Sequence, residues 1–202
     1  MKKQIGFFGG TFDPIHFGHI NLAIQVKEIC KLDEVIFCPT SVSPFKLKAP
    51  PHADASSRLL MTQMVVEEIE NFSCLDFESK KPQASYTVDT LKHLYQTMEK
   101  VQLRLIIAED SLMGFELWQG IEEILNIAPP IIGSRKGSSF HFMDLLPEQY
   151  MRIIQKNIIE TNRMDISSTD IRQRLKNKLY CGHLLPIKVL DYIYKNHLYY
   201  CS

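Results

Sequence analysis

Six short, unbroken apolar runs alternate with longer amphipathic stretches, and this rhythm limits the folds open to the chain. The runs are Gln4–Phe8, Glu34–Cys38, Ser73–Phe77, Leu103–Ala108, Pro130–Gly133 and Ile158–Glu160. Runs this short, without polar alternation, suit strands buried on both faces. Between and after them lie helix candidates at His19–Cys30, Ser56–Glu70, Tyr86–Glu99, Gln119–Asn126, Asp144–Gln155, Ser168–Asn177 and Pro186–Asn196. Helical spacing puts Leu22, Val26 and Ile29 on one face of the first, and Val189, Leu190, Ile193 and Tyr194 on one face of the last, where Pro186 suits the first turn. Strand and helix in alternation predict an α/β chain, a Rossmann-like parallel sheet flanked by helices. In such sheets ligands sit beyond the carboxyl ends of the strands.

The first strand candidate runs straight into Gly9-Gly10-Thr11-Phe12-Asp13-Pro14-Ile15-His16-Phe17-Gly18-His19. Glycines let backbone N–H groups approach an anion, and a helix start carries about half a positive charge. Two histidines three residues apart at that start can both donate to phosphate oxygens. A second such start is Ile166-Ser167-Ser168-Thr169-Asp170-Ile171-Arg172. Ser167 with Asp170 fits a capping box, and Arg172 lies one turn beyond Thr169, so its planar fork and that hydroxyl can reach one anion. Two anion-binding helix starts in one chain point to chemistry on a polyphosphate.

Composition narrows the partners. With 202 residues, 45% of them hydrophobic, the chain can bury one sizeable core and is expected to form a single domain, residues 163–202 being a C-terminal helical part. A formal net charge of +0 leaves no basic field for nucleic acid. Lys2 and Lys3 precede an apolar run that glycines and Asp13 interrupt, which fits neither a signal peptide nor a membrane span. Five cysteines form no CxxC pair and no ligand-like cluster, as expected of reduced thiols in the cytoplasm. No third His, Cys or carboxylate is obviously placed to make the histidine pair a metal site. Thr40 to Ala55, rich in Pro, Ser, Lys and Ala, is a candidate substrate loop; its Lys46 is a lone cation of the kind that is ordinarily solvated unless the loop folds over a site. Ser85–Thr87 opens another helix that can cap itself or offer N–H groups to an anion. Trp118, the single tryptophan, suits either the core or the face of a flat ring.

GGTFDPIHFGH resembles the HxGH signature of the nucleotidyltransferase superfamily, and ISSTDIR resembles its second signature. From Lys3 to Tyr200 the chain is similar to the bacterial nicotinate-nucleotide adenylyltransferase family, with counterparts for SYTVDTL, Trp118 and the C-terminal helix and tail. That resemblance implies a nucleotidyltransferase-type α/β fold, ATP and nicotinate mononucleotide as substrates, and Mg²⁺ alongside ATP. It also implies catalytic roles for His16, His19 and Arg172. Gly9, Gly10, Thr11, Phe12, Lys46, Asp110, Ser168 and Thr169 would meet ATP; Thr40, Thr87 and Trp118 would meet the mononucleotide. The chain departs from the family pattern at Ala108-Glu109, Thr40, Phe45-Lys46 and Gln119. A phosphopantetheine adenylyltransferase of the same superfamily, or an inactive nucleotide-binding protein, is the alternative reading.

Overall fold

The computed structural model describes residues 2–42, 50–81, 84–112, 114–134, 147–162 and 164–200, Asp110 by its backbone. The strands are β1 (Lys3–Gly10), β2 (Glu34–Pro39), β3 (Phe72–Cys74), β4 (Val101–Ala108), β5 (Pro130–Ser134) and β6 (Ile158–Glu160). The helices are α1 (Phe17–Ile29), α2 (Ala55–Val66), α3 (Thr87–Thr97), α4 (Ile121–Ile127), α5 (Glu148–Gln155), α6 (Ser168–Lys176) and α7 (Ile187–Lys195). The strands form one sheet in the order β3-β2-β1-β4-β5-β6. This is the doubly wound order, in which the chain works outward from β1 on one side and then on the other. β1 pairs parallel with β4, from Lys3 opposite Val101 to Phe7 opposite Leu105. β4 and β5, and β5 and β6, are parallel too.

The chain divides into two compact units: Met1–Phe8, Leu22–Val35 and Tyr86–Arg163 make one, and Gly9–Asn21, Ile36–Ser85 and Met164–Ser202 make the other. In the first, Ile5, Phe7, Val26, Leu103, Leu105, Ile106, Ile131 and Ile132 are buried. Gly6 permits a close approach there, since a Cβ on it would lie 2.8 Å from both Ile106 and Leu32. In the second, the buried side chains include Phe12, Ile15, Phe37, Met61, Ile171, Leu175, Val189, Leu190 and Ile193. There α2 packs on α7.

Several boundaries and faces differ from the sequence reading for local reasons. Ile29 is 50% exposed. The inward face of α1 is Ile20, Ala23 and Val26, and the left-handed Lys31 turns the chain so that Leu32 takes the next buried place. α2 starts at Ala55, because the Asp54 carboxylate accepts from the Ser57 N–H at 2.8 Å. It ends at Val66, and Asn71 at φ 62° redirects the chain into β3. β3 stops at Cys74, since the Asp76 carbonyl accepts from the Lys80 N–H and the Ser79 hydroxyl in a turn. Gln119 falls outside α4, whose cap is Gly120 at φ 70°; a Cβ there would meet Val88 at 2.9 Å. Pro186 is the cap of α7 rather than its first residue, and Tyr194 lies at the exposed edge of that helix. The expected start of α5 at Asp144 lies outside the described residues; Pro147 caps the helix.

Candidate active site

β1 ends on Gly9 and Gly10, and the next residues turn sharply. Phe12 adopts φ 46° and drops its ring into the core, 2% exposed, against Phe37 at 5.5 Å and edge-on to His19 at 5.0 Å. Gly10 makes that possible: a Cβ on it would come within 2.9 Å of the Phe12 ring. Neither Gly9 nor Gly10 has a positive φ, so close approach is the reason for glycine at Gly10. With its ring buried, Phe12 can offer a ligand only its backbone.

The chain enters α1 through His16, whose carbonyl accepts from the His19 and Ile20 N–H groups at 3.0 and 3.3 Å. The two imidazoles stack at 3.7 Å between centroids. The His16 backbone N–H donates to Nδ1 of His19 at 3.3 Å. That bond leaves Nε2 of a neutral His19 as its ring donor. His16 is 5% exposed, and burial lowers its pKa from 6.5 to about 4. It is therefore a neutral ring at physiological pH. Its Nδ1 is buried with no hydrogen-bond partner among the described residues. Gly18 leaves space for this ring, as a Cβ on it would sit 3.0 Å from His16 Nδ1.

The second motif meets the first within the same unit. Ser167 caps α6, its hydroxyl accepting from the Asp170 N–H at 3.1 Å and donating to the Asp170 carboxylate at 2.7 Å. Ser168 Oγ donates to the Pro14 carbonyl at 2.9 Å. Arg172 Nη1 donates to the Asp13 carbonyl at 2.7 Å and lies 3.8 Å from its carboxylate. Arg172 Nη2 donates to Thr169 Oγ1 at 3.2 Å. The two helix starts are thus tied together around the residues preceding His16.

Asp13 is the centre of this arrangement, and sequence reasoning missed it. Its carboxylate accepts from the His52 N–H at 2.8 Å, the Ala53 N–H at 3.1 Å and the Tyr199 hydroxyl at 2.8 Å. Tyr199 is 186 residues away. Burial and then the Asp13 charge push the Tyr199 pKa far above its ordinary value, so it stays a donor. Arg58, buried at the start of α2, was missed as well. Asp13 was visible only as part of a motif and Arg58 only as a charge on an amphipathic helix.

Other predicted residues stand elsewhere. Thr11 and Thr40 belong to the same unit as the histidines, and the Thr40 hydroxyl is buried without a partner among the described residues. Lys46 lies outside the described residues. Thr87, Asp110 and Trp118 belong to the other unit. Thr87 is the first residue of α3, whose cap, Tyr86, makes no side-chain capping bond. Trp118 is half-buried and packs edge-on to Phe115 at 5.0 Å. Asp110 falls in a 3₁₀ turn, Glu109–Leu112, at the end of β4, and its side chain lies outside what is described. The neighbouring Glu109 accepts from the Ser134 hydroxyl at 3.2 Å. Among the described residues no group of three or more His, Cys, Asp or Glu is placed to hold a metal ion, and no helix is long and apolar enough to cross a membrane.

A doubly wound sheet whose first strand delivers a glycine-led turn and two histidines to a helix start has the architecture of an α/β nucleotidyltransferase. Residues 7–174 match the cytidylyltransferase-like family, and the chain belongs to it. A Clostridium perfringens protein described as a probable nicotinate-nucleotide adenylyltransferase is 37% identical over 201 residues, covering 98% of each chain. One of the same description from Methylacidiphilum infernorum is 36% identical over 203 residues, covering 98% of this chain and 95% of that one. Among solved structures, Plasmodium falciparum nicotinic acid mononucleotide adenylyltransferase complexed with NaAD superposes with a TM-score of 0.77 over 98% of this chain and 97% of that one. At 18% identity that likeness speaks for the fold.

Proposed function

We propose that the chain transfers the adenylyl group of ATP to nicotinate mononucleotide, forming nicotinate adenine dinucleotide and pyrophosphate in NAD biosynthesis. The observation that carries this reading is the stacked His16–His19 pair at the start of α1, with His16 neutral, joined through Asp13 to Arg172. The nucleophile is a phosphate oxygen of the mononucleotide. A phosphate monoester has its second pKa near about 6, so it attacks as a dianion without a protein base. The attacking oxygen forms a bond to the α-phosphorus of ATP as the bond to the β-bridging oxygen breaks, and pyrophosphate leaves. Alignment and electrostatic stabilisation are what remain for the enzyme to supply.

His16 and His19 serve as donors to the α and β phosphates. The neutral His16 imidazole suits this task, because it donates without becoming a fixed cation, and His19 accepts the His16 N–H at Nδ1, which leaves Nε2 to donate. Arg172, Thr169 and Lys46 hold the leaving pyrophosphate, and Ser168 fixes the approach of α6 through Pro14. Backbone groups of Gly9, Gly10, Thr11 and Phe12 line the phosphates, and Asp110 meets the nucleotide ribose. Thr40, Thr87 and Trp118 receive the mononucleotide. Mg²⁺ neutralises phosphate charge when bound. The Asp13 carboxylate, three residues before His16 in sequence, has its oxygens occupied by N–H and O–H donors. The ion would therefore be held mainly by phosphate oxygens and water, as is usual for Mg²⁺ with nucleotides.

We also propose that both units act as one nucleotidyltransferase domain, since the chain crosses between them five times. The described cysteines Cys30, Cys38, Cys74 and Cys181 are free, which supports a cytoplasmic setting. The test is pyrophosphate release from ATP with nicotinate mononucleotide, nicotinamide mononucleotide and phosphopantetheine as acceptors. Release strongly favouring the first is expected. Release only with phosphopantetheine, or with none of them, overturns the assignment.

A further inference from the structure

Arg58 is 1% exposed, yet among the described residues its guanidinium hydrogen-bonds only to main-chain carbonyls. Nε donates to Ala53 at 3.1 Å. Nη1 donates to both Thr11 at 2.7 Å and Thr40 at 2.5 Å. Nη2 donates to Ser41 at 2.7 Å. Burial lowers its pKa and the Asp13 charge opposes that, so the group remains a guanidinium. A buried cation held this way is costly unless every donor is placed, so one of the carbonyls it holds cannot shift without drawing on the others.

Those carbonyls belong to two different stretches. Thr11 lies in the turn that leads to His16, whose Nδ1 is buried without a partner among the described residues. Thr40 and Ser41 follow β2, and the Thr40 hydroxyl is likewise buried and unpartnered. One nitrogen, Nη1, therefore bridges two stretches that each keep a buried polar atom in reserve.

We propose that Arg58 is a positioning residue that couples the two substrates to each other. Building on the adenylyl-transfer reading, ATP orders the Thr11 side and the mononucleotide orders the Thr40–Ser41 side. Either ligand fixes the shared guanidinium, so the second ligand meets a stretch already in place and pays less ordering entropy. Lysine cannot substitute, because a single ammonium lacks the planar fork needed to reach carbonyls in three directions.

The experiment measures the Kd of a non-hydrolysable ATP analogue with and without nicotinate mononucleotide, in wild type and in Arg58→Lys, together with wild-type turnover. In wild type each ligand is expected to tighten the other by about 5-fold or more. In Arg58→Lys that factor should fall to about 1, while the analogue alone binds within about 3-fold of wild type. Retained coupling in Arg58→Lys, or none in wild type, overturns the proposal. A wild type that turns over but shows no coupling defeats the role of Arg58 alone; one that does not turn over with nicotinate mononucleotide defeats the functional reading itself. Should Arg58→Lys fail to fold, amide exchange in wild type decides. The Ser85 N–H donates to the Val42 carbonyl at 3.3 Å, next to the stretch Arg58 holds. The ATP analogue alone should slow exchange at Ser85, and unchanged exchange overturns the proposal.

Discussion

The helix starts at α6 and α3 are built on opposite plans. α6 opens on a satisfied capping box, its Ser168 bonded to Pro14 and its Arg172 to Asp13. α3 opens on Tyr86 with no side-chain cap, and Thr87 follows as its first residue. The first start is braced across more than 150 positions of sequence, while the second is held by the packing of Val88, Leu91 and Leu94 beneath it. Groups that stabilise a transition state must be in place beforehand, whereas groups that recognise an acceptor can settle around it. The braced region is where the phosphates are proposed to lie, and the simpler one is where the nicotinate is.

The largest expected effect tests this contrast through acid stability. His16 is neutral and buried, with a pKa of about 4 against an ordinary 6.5. Below pH 6.5 the unfolded chain binds a proton that the folded site refuses, so stability should fall as pH drops toward 4 and then level off. The loss is at most about 3 kcal/mol. Urea midpoints of wild type and His16→Gln between pH 7 and pH 4 measure it, and the variant should lack this component. Parallel curves would mean that His16 titrates normally and that its surroundings are wet.

Next comes chemistry. His19→Ala should lower kcat at least ~100-fold, the scale of losing a preorganised oxyanion donor. Thr87→Ala should instead raise KM for the mononucleotide roughly 5- to 10-fold, with kcat nearly kept, as for one lost hydrogen bond. If Thr87→Ala lowers kcat as much as His19→Ala, the division of labour between the two starts is wrong. Arg172→Lys sharpens the braced side. It should lose on the order of 10-fold in kcat/KM for ATP, because an ammonium cannot serve Asp13, Thr169 and a phosphate from one plane. Full activity in the lysine variant would make Arg172 a point charge.

The architecture was legible because β2 and β5 are buried along most of their length and β1 through its centre, and so they carry short apolar runs. The two helix-start motifs were legible as local patterns because their residues are close in sequence. Less visible was what joins them. The glycine pattern does not announce that Gly10 also makes room for the Phe12 ring. Ile29 fits the periodicity of α1 but falls where the helix ends and the chain turns away. Arg58 looks like any basic residue on an amphipathic helix until its four carbonyls are known. No local pattern links Tyr199 to Asp13, because partners so distant in sequence leave no periodic trace.

That last pair supplies the smallest effect, and it asks how far bracing reaches beyond the motifs. Tyr199→Phe removes one donor from a buried carboxylate and leaves the ring in place. Asp13 keeps the His52 and Ala53 N–H groups and the nearby Arg172. A hydrogen bond to a charged group is worth about 1.5–3 kcal/mol, and the surviving donors should hold the loss near the lower end. Asp13 should then pull less firmly on the turn before His16, so kcat/KM for ATP is expected to fall about 2- to 5-fold, with the mononucleotide KM unmoved. Because the Tyr199 hydroxyl stays protonated far above neutrality, wild type should show no loss of this bond as pH rises to 9. Denaturant midpoints and initial rates for wild type and Tyr199→Phe check both halves. A kcat loss matching His19→Ala would mean that the C-terminal tail takes part in the chemistry directly. An unchanged midpoint and unchanged rates would mean that the two backbone N–H groups suffice to hold Asp13, and that the brace ends at α6.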